Sequence, residues 1–235
     1  MSLLLLVRHG RTAANATGIL AGRTPGVTLD EVGVAAAEAL RGRLAHAPLV
    51  AAITSPLERC RQTAEIVADG RIPVRTDDGI LECDYGEWTG LGLEELRQQS
   101  LWETIQQRPS TVTFPGGEAF QDMQNRAVAT IREHAAAVDR EHGEDAAWLA
   151  FSHGDVIKAI ITDAMGAPLD RLQRFMVDPC SVTAIRYTGE STLVHVVNAA
   201  GPDPIAALLS RQDADTNDTT SDATTAHEGI VGGGA

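Results

Sequence analysis

Short, fully apolar runs alternate along the chain with longer stretches in which apolar residues recur at helical spacing. Residues 3–7 (LLLLV) are apolar at every position, which is typical of a strand buried on both faces of a sheet. The further predicted strands are residues 51–54, 72–75, 147–151, 182–187 and 192–197. The last two of these strands are predicted to pair with each other.

Helical patterns lie between these strands. Thr28 and Glu31 form the sequence of a capping box ahead of a helix over residues 29–46, and Pro56 suits the first turn of a helix that ends near Ala68. Because helices and strands alternate, the sequence predicts an α/β fold, a three-layer sandwich with a mainly parallel central sheet and helices on both faces. The other predicted helices are residues 94–107, 118–141 and 155–165.

The domain organisation follows from where the composition changes. No repeat or linker divides the body of the chain, so a single domain is expected over residues 1–211. From Gln212 the sequence is rich in Asp, Thr, Ala and Gly and has almost no core-forming residues. Residues 212–235 are therefore predicted to be a disordered tail.

The charge balance restricts the partners. The 235 residues include 32 acidic and 19 basic side chains, a net charge of −13, and Lys158 is the only lysine. A net-acidic chain is a poor candidate for binding nucleic acid or an anionic membrane, so neither is expected as a partner. A local cluster of arginines can still bind an anion.

Location is inferred from apolar runs and cysteines. No run approaches the ~20 apolar residues of a spanning helix, and residues 3–7 are too few for a signal-peptide core. Cys60, Cys83 and Cys180 are odd in number and scattered, which gives neither a disulfide framework nor a zinc-binding spacing. These features predict a cytoplasmic protein.

Polar residues follow four of the predicted strands. In open α/β sheets, ligands bind at the carboxyl ends of the strands, so these four stations are expected to converge. Their convergence would place two arginines, two histidines and one carboxyl group in one pocket. The stations are Arg8-His9-Gly10, Ser55 to Arg59, Glu82, and Ser152-His153-Gly154.

This set of side chains fits phosphoryl transfer. Two guanidinium groups can hold a phosphate dianion, and a neutral imidazole beside positive charge can attack phosphorus. A carboxyl group with a raised pKa can protonate the leaving oxygen. Each residue also has a plainer interpretation, since a histidine after a strand is often a hydrogen-bonded loop residue and Arg59 can form ion pairs on its own helix.

Four segments in this order resemble the histidine phosphatase superfamily, also called the phosphoglycerate-mutase-like family, and especially its smaller bacterial phosphatase branch. The segments are RHGRTAAN, SPLERCRQTAEI, ECDYGEWTG and FSHGDVIKAI, and the resemblance spans roughly residues 3–198. It implies the phosphoglycerate-mutase-like fold and a reaction that needs neither a metal nor another cofactor.

The resemblance also implies roles for residues. His9 would be the nucleophile that becomes phosphohistidine, and Arg8, Arg59 and His153 would bind and polarise the phosphoryl group. Glu82 would be the general acid and later the base that activates water. Further candidate phosphate contacts are Asn15, Gly22, Arg23 and the backbone of Gly154.

Several residues keep two interpretations. Arg11 stands where many members of the family, particularly the mutases, carry Glu. Either it is a solvated surface residue, which we favour, or it adds positive charge at the pocket mouth, and the same two interpretations apply to Arg23. Tyr85 and Trp88 are expected to pack the turn after Glu82, the alternative being that Trp88 lines the substrate entrance.

The reaction class depends on what attacks the phosphohistidine. A mutase must hold a bisphosphate, yet residues 94–117 contain only Arg97 and Arg108 as cations, so hydrolysis of a phosphomonoester is favoured over a phosphoglycerate mutase-type reaction. A non-catalytic phosphate-binding module is less favoured because Glu82 is retained. Neither the dinucleotide-binding nor the P-loop glycine motif follows the first strand. The expected partner is a small phosphorylated substrate. Its identity is left open, and so is whether the protein forms a homodimer.

Overall fold

A six-stranded sheet forms the centre of the computed structural model, which describes residues 2–187 and 192–201. The strands are β1 (Leu3–Arg8), β2 (Leu49–Thr54), β3 (Val74–Thr76), β4 (Ala147–Ser152), β5 (Val182–Tyr187) and β6 (Thr192–Ala199). They lie in the order β3-β2-β4-β1-β5-β6. The first four strands are parallel, β5 runs antiparallel to β1, and β6 runs antiparallel to β5. The predicted pairing of the last two strands is therefore confirmed.

Helices connect the strands. The α-helices are α1 (Ala13–Thr17), α2 (Glu31–Arg43), α3 (Glu58–Ala68), α4 (Leu93–Leu96), α5 (Ser100–Gln107), α6 (Phe120–His142) and α7 (Gly154–Ala164). Short 3₁₀ helices lie at Asp78–Ile80, Gly86–Trp88, Pro109–Thr111 and Leu169–Arg174.

The two faces of β1 belong to two different apolar cores. Leu4 and Leu6 pack in the core formed with α6 and α7, whereas Leu3, Leu5 and Val7 pack in the core formed with α2 and α3. Successive side chains of a strand point to opposite faces, so a strand covered on both sides must be apolar throughout. The predicted three-layer α/β sandwich is confirmed, and β1 holds the residues that follow it in a fixed position.

The start of α2 differs from the prediction. The capping residue is Asp30 rather than Thr28, and its side chain accepts a hydrogen bond from the Gly33 N–H at 2.7 Å. Leu29 forms an isolated β-bridge with Thr12, so the chain before Asp30 is extended and cannot begin the helix there. The helix also ends at Arg43, earlier than predicted.

Other predicted boundaries need smaller corrections. Pro56 precedes α3 by two residues instead of lying in its first turn. The single helix predicted over residues 94–107 is two helices, because Gln99 has extended backbone (ψ 141°). Helix α1, whose capping box joins Thr12 and Asn15, was not predicted. The predicted tail and the predicted domain boundary at residue 211 lie outside the described residues and stay predictions.

Helix α2 packs unusually close to the loop after β1. A Cβ atom at Gly33 would lie 2.1 Å from the Arg11 carbonyl oxygen and 2.8 Å from the Arg11 nitrogen. By contrast, a Cβ atom at the exposed Gly42 of the same helix meets nothing within 4 Å. Only the first glycine is needed for the approach of the helix to the loop.

This contrast gives a matched test of the packing. Gly33→Ala should lower the free energy of unfolding by about 1–3 kcal/mol, because the helix must move away from Arg11. Gly42→Ala should raise it by about 0.5–1 kcal/mol through better helix propensity. Urea unfolding of both variants checks this, and equal stability of the two would refute the close packing.

Candidate active site

The four polar stations meet at the carboxyl edge of the parallel strands. A cavity of about 250 Å³ lies there, and its wall includes Arg8, His9, Arg59 and Glu82. His153 is fully buried beside it and contacts Arg59. The five principal residues predicted from the sequence are thus brought into one cluster. The other residues of the wall are Thr12, Asn15, Ile19, Leu20, Ala21, Gly22, Tyr85, Leu93, Gly154, Asp155, Lys158, Met176, Val177 and Asp178.

His9 is held with one ring nitrogen free of a proton. Its Nδ1 donates to the Gly10 carbonyl oxygen at 2.8 Å, and its Nε2 accepts from Arg59 Nε at 3.2 Å. This pairing assigns the proton to Nδ1 and the lone pair to Nε2. Burial, together with the charges of Arg59 and Arg8, holds the pKa of His9 well below its usual value. The imidazole is therefore neutral at neutral pH, as a nucleophile requires.

Arg59 organises the centre of the cluster. It is 2% exposed and occupies the second position of α3. Besides its bond to His9, its Nη2 donates to the Gly22 carbonyl oxygen at 2.8 Å and to His153 Nδ1 at 3.1 Å. One guanidinium group thereby fixes both histidines and the Gly22 loop relative to one another.

Two buried guanidinium nitrogens in this cluster lack a partner. Among the residues that the structure describes, neither Arg8 Nε nor Arg59 Nη1 has a hydrogen-bond partner, although Arg8 Nη1 donates to the Val177 carbonyl oxygen at 2.6 Å. Leaving charged donors buried and unpaired costs free energy, so such groups need an explanation. An anion in the cavity would supply the missing acceptors, and phosphate suits two adjacent guanidiniums.

Gly154 brings the start of a helix to the wall of the cavity. It is the first residue of α7, and the first N–H groups of a helix have no acceptor within the helix. A Cβ atom at this position would lie 3.5 Å from the unpartnered Arg8 Nε. The start of α7 thus lies within van der Waals distance of the Arg8 guanidinium.

His153 is also neutral. Its Nδ1 accepts from Arg59, so its Nε2 carries the proton and donates to Ser55 Oγ at 2.8 Å. Burial lowers its pKa well below the usual value, and the charge of Arg59 adds to this. The rings of His153 and His9 have centroids 5.4 Å apart.

Glu82 has the environment of a general acid. It is 8% exposed, and its Oε1 accepts from the Cys83 N–H at 2.9 Å. Burial, with repulsion from Asp155 as the next cause, raises the pKa of its carboxyl group to about 7. Near neutral pH the group is divided between its two protonation states, so it can both give and take a proton.

A network behind Glu82 holds its loop in place. Arg126 of α6 donates to the carbonyl oxygens of Gly79, Leu81 and Glu82 at 2.9, 2.7 and 3.1 Å, and it pairs with Glu118 at 2.7 Å. These bonds fix the backbone that carries the acid. Nothing in the local sequence around Arg126 indicated this role.

Arg23 belongs to the same network and not to the cavity wall. Its Nε donates to the Glu82 carbonyl oxygen at 2.8 Å, and its Nη2 pairs with Glu118 at 3.0 Å. The structure therefore does not support Arg23 as a phosphate contact, because its guanidinium is engaged behind the acid. It is not a free surface residue either.

The remaining residues named from the sequence have clear positions. Arg11 is partly exposed and pairs with Asp30 at 2.8 Å, which agrees with the surface interpretation. Asn15 and Gly22 are on the cavity wall. The Asn15 side-chain oxygen accepts from Thr12, which leaves its amide NH₂ as the group able to donate to a ligand.

Sequence reasoning missed a polar group at the edge of the cavity. Lys158 Nζ lies 3.2 Å from both Asp155 Oδ1 and Gln173 Oε1, and Tyr85 donates its hydroxyl to Asp155 Oδ2 at 2.8 Å. A signal was available, since Lys158 is the only lysine and follows His153 by little more than one helical turn. Met176, 69% exposed at the rim, had no such signal.

Metal binding and membrane spanning each require a recognisable structural feature. Within residues 2–187 and 192–201, no group of three or more His, Cys, Asp or Glu side chains is arranged to hold a metal ion. Over the same ranges, no helix combines the length and apolar character needed to cross a membrane.

Comparison with known proteins agrees with this geometry. The model of the histidine phosphatase superfamily (branch 1) matches residues 4–200. The chain belongs to the histidine phosphatase superfamily. The resemblance inferred from the four sequence segments is therefore confirmed, and so is the fold that it implied.

Relatives within the histidine phosphatase superfamily carry two kinds of name. The adenosylcobalamin/alpha-ribazole phosphatase of Salmonella typhimurium is 30% identical over 202 residues, covering 83% of this chain and 96% of the relative. The 2,3-bisphosphoglycerate-dependent phosphoglycerate mutase 2 of Gloeobacter violaceus is 28% identical over 203 residues, covering 84% and 91%. YhfR of Bacillus stearothermophilus is similar in structure, with a TM-score of 0.76 at 33% identity over 83% of this chain and 96% of that one. Superfamily membership and these relatives support a phosphatase without defining its substrate.

Proposed function

We propose that this histidine phosphatase superfamily member hydrolyses a phosphomonoester of a small metabolite through a phosphohistidine on His9. The observation that carries the proposal is the pair of unpartnered donors, Arg8 Nε and Arg59 Nη1, beside the unprotonated Nε2 of His9. Arginine donors that can bind an anion and a histidine nitrogen that can act as a nucleophile thus lie at one cavity.

The chemistry uses only groups in the cluster. His9 Nε2 attacks phosphorus, the bond from phosphorus to the ester oxygen breaks, and protonated Glu82 gives its proton to the departing alcohol. Arg8 and Arg59 stabilise the charge on the transferring oxygens, and His153, whose ring nitrogens are paired with Arg59 and Ser55, helps to position Arg59. Ionised Glu82 then takes a proton from water, whose oxygen attacks the phosphohistidine. Phosphate leaves, and both His9 and Glu82 return to their starting states.

The mutase reaction is the second candidate, since one of the relatives is named as a mutase. A bisphosphate needs cations beyond those that hold the reacting phosphate. On the part of the cavity wall that the structure describes, the further cation is Lys158, and it is paired with Asp155 at 3.2 Å. This pairing favours hydrolysis over retention of a bisphosphate.

A single assay separates the two reactions. Phosphate release from a panel of phosphomonoesters is expected, and a chelator should not reduce it if the reaction needs no metal. With 3-phosphoglycerate and 2,3-bisphosphoglycerate, the mutase reaction would instead give isomerisation without free phosphate. Isomerisation alone would overturn the hydrolase proposal, and loss of all activity in the chelator would overturn its metal-free form.

We also propose a cytoplasmic location and no nucleic-acid or membrane partner. The support is that Cys60, Cys83 and Cys180 are all free and buried, as in a reducing compartment, and that the chain is strongly acidic.

A further inference from the structure

A second cavity adjoins the one that holds the phosphate-binding cluster. Its volume is also about 250 Å³, and helix α5 and the segment that follows it form much of its wall. The two cavities share a boundary, so a ligand whose phosphate sits beside His9 can extend into the second cavity. The shared lining residues are Leu20, Tyr85, Leu93, Asp155 and Lys158.

Aromatic side chains form the largest group on the wall of this second cavity. The rings of Trp88 and Trp102 are nearly parallel, at 16° with centroids 6.5 Å apart, and the Phe114 ring meets Trp88 and Tyr85 edge to face at 5.6 and 5.0 Å. Ile105 adds an aliphatic side. Since an apolar cavity of ~150 Å³ is large enough to bind benzene, this one has room for an aromatic ring.

Polar groups lie at the shared boundary. Lys158 is held by Asp155 and Gln173, and Asp155 is held by Tyr85. Fixed donors and acceptors at this position can hydrogen-bond a hydroxyl group that lies between the phosphate and an apolar end. A binding site with an apolar wall and a few fixed polar groups discriminates among ligands by shape and by hydrogen bonding.

We propose that the alcohol portion of the substrate carries an aromatic or similarly flat apolar group that packs in the second cavity. The linker to the phosphate then passes Lys158 and Asp155. This inference rests on the proposed hydrolysis, for which it names the substrate class. Binding of this remote group contributes to kcat/KM, because the energy it releases positions the phosphate for attack.

Esters with matched leaving oxygens test the inference. Phenylethyl, phenylpropyl and phenylbutyl phosphates are compared with ethyl, propyl and butyl phosphates, so that each pair makes the same demand for a proton. At least one phenyl ester should have a kcat/KM about tenfold or more above that of its alkyl partner. If no phenyl ester exceeds its partner, the second cavity does not take the leaving group.

Two variants test whether the preference for phenyl esters arises at Trp102. Trp102→Ala should reduce the ratio of kcat/KM for a phenyl ester to kcat/KM for its alkyl partner toward one. Trp102→Phe should keep most of this ratio because it retains a ring. Glu103→Ala changes the next residue, an exposed one, and should leave the ratio unchanged. An unchanged ratio in Trp102→Ala would contradict the inference.

A measurement on the wild-type protein guards against misfolding of the Trp102 variants. Phenylpropanol should inhibit hydrolysis of 4-nitrophenyl phosphate at a concentration about tenfold or more below that of propanol, and equal inhibition would overturn the inference. The comparison of phenyl and alkyl esters also separates the inference about the second cavity from the proposed function. Absence of any ester hydrolysis would refute the proposed function, whereas hydrolysis without a phenyl preference would refute only the inference about the second cavity.

Discussion

Replacing His9 with alanine is expected to lower kcat for phosphomonoester hydrolysis by about 10⁴-fold or more. The reason is that Nε2 of His9 is the unprotonated nitrogen beside the two unpartnered arginine donors, and the variant has no other group in that position. Phosphate release from 4-nitrophenyl phosphate and from an alkyl phosphate measures the loss.

Two controls define this result. His142→Ala changes an exposed histidine at the end of α6 and should keep full activity. Inorganic phosphate should still bind the His9→Ala protein, because Arg8 and Arg59 remain in place. Turnover of that variant near the wild-type rate would remove His9 from the reaction.

Glu82→Gln should separate substrates by their leaving groups. Hydrolysis of alkyl phosphates should fall by about 10²–10⁴-fold, because an alkoxide leaves poorly without a proton. Hydrolysis of 4-nitrophenyl phosphate should fall much less, since nitrophenolate leaves without one. Glutamine keeps an oxygen for the Cys83 N–H, so the loop is preserved. Equal losses on the two kinds of ester would rule out the acid role.

The pH dependence gives a second readout for the same group. The proposed acid is the protonated form of Glu82, whose pKa is raised to about 7, so kcat/KM for an alkyl phosphate should fall as pH rises through that region. In Glu82→Gln the fall should disappear. Glu87→Gln alters an exposed carboxylate of the same loop and should keep the wild-type profile. A fall that persisted in Glu82→Gln would belong to another group.

The sequence was sufficient for the fold class and for the cluster of polar side chains at the carboxyl edge of the sheet. Residues 3–7 are apolar without alternation, which is informative because only a strand covered on both faces needs such a run. The polar residues after each parallel strand then meet at one edge by geometry alone. Arg8, His9, Arg59, Glu82 and His153 were found in this way.

The hydrogen-bond network that holds the Glu82 loop could not be predicted, because it joins side chains that are far apart in the sequence. Arg126 reaches the carbonyl of Glu82 from another element, 44 residues later in the chain. For Arg23 the sequence favours a solvated surface position over a phosphate contact, whereas its guanidinium is engaged by two carboxylates and the Glu82 carbonyl oxygen. Charge and spacing do not reveal which of several partners an arginine will meet.

The sequence indicated the second cavity only through the less favoured interpretation of Trp88, which does line it. Trp102, whose ring stacks on that of Trp88, lies in α5, beyond the break at Gln99 that divides the predicted helix. Helical periodicity continues through that break, and only the packing of the two shorter helices reveals it.

The central claim, a phosphoryl group carried on His9, is tested most directly by trapping it. Enzyme mixed with a labelled phosphomonoester is quenched with denaturant at high pH during turnover, and the label is located by peptide mass spectrometry. The expected result is a label on His9 that is stable to base, labile to acid and absent from the His9→Ala protein. Steady turnover with no labelled histidine, or with the label on another residue, would contradict it.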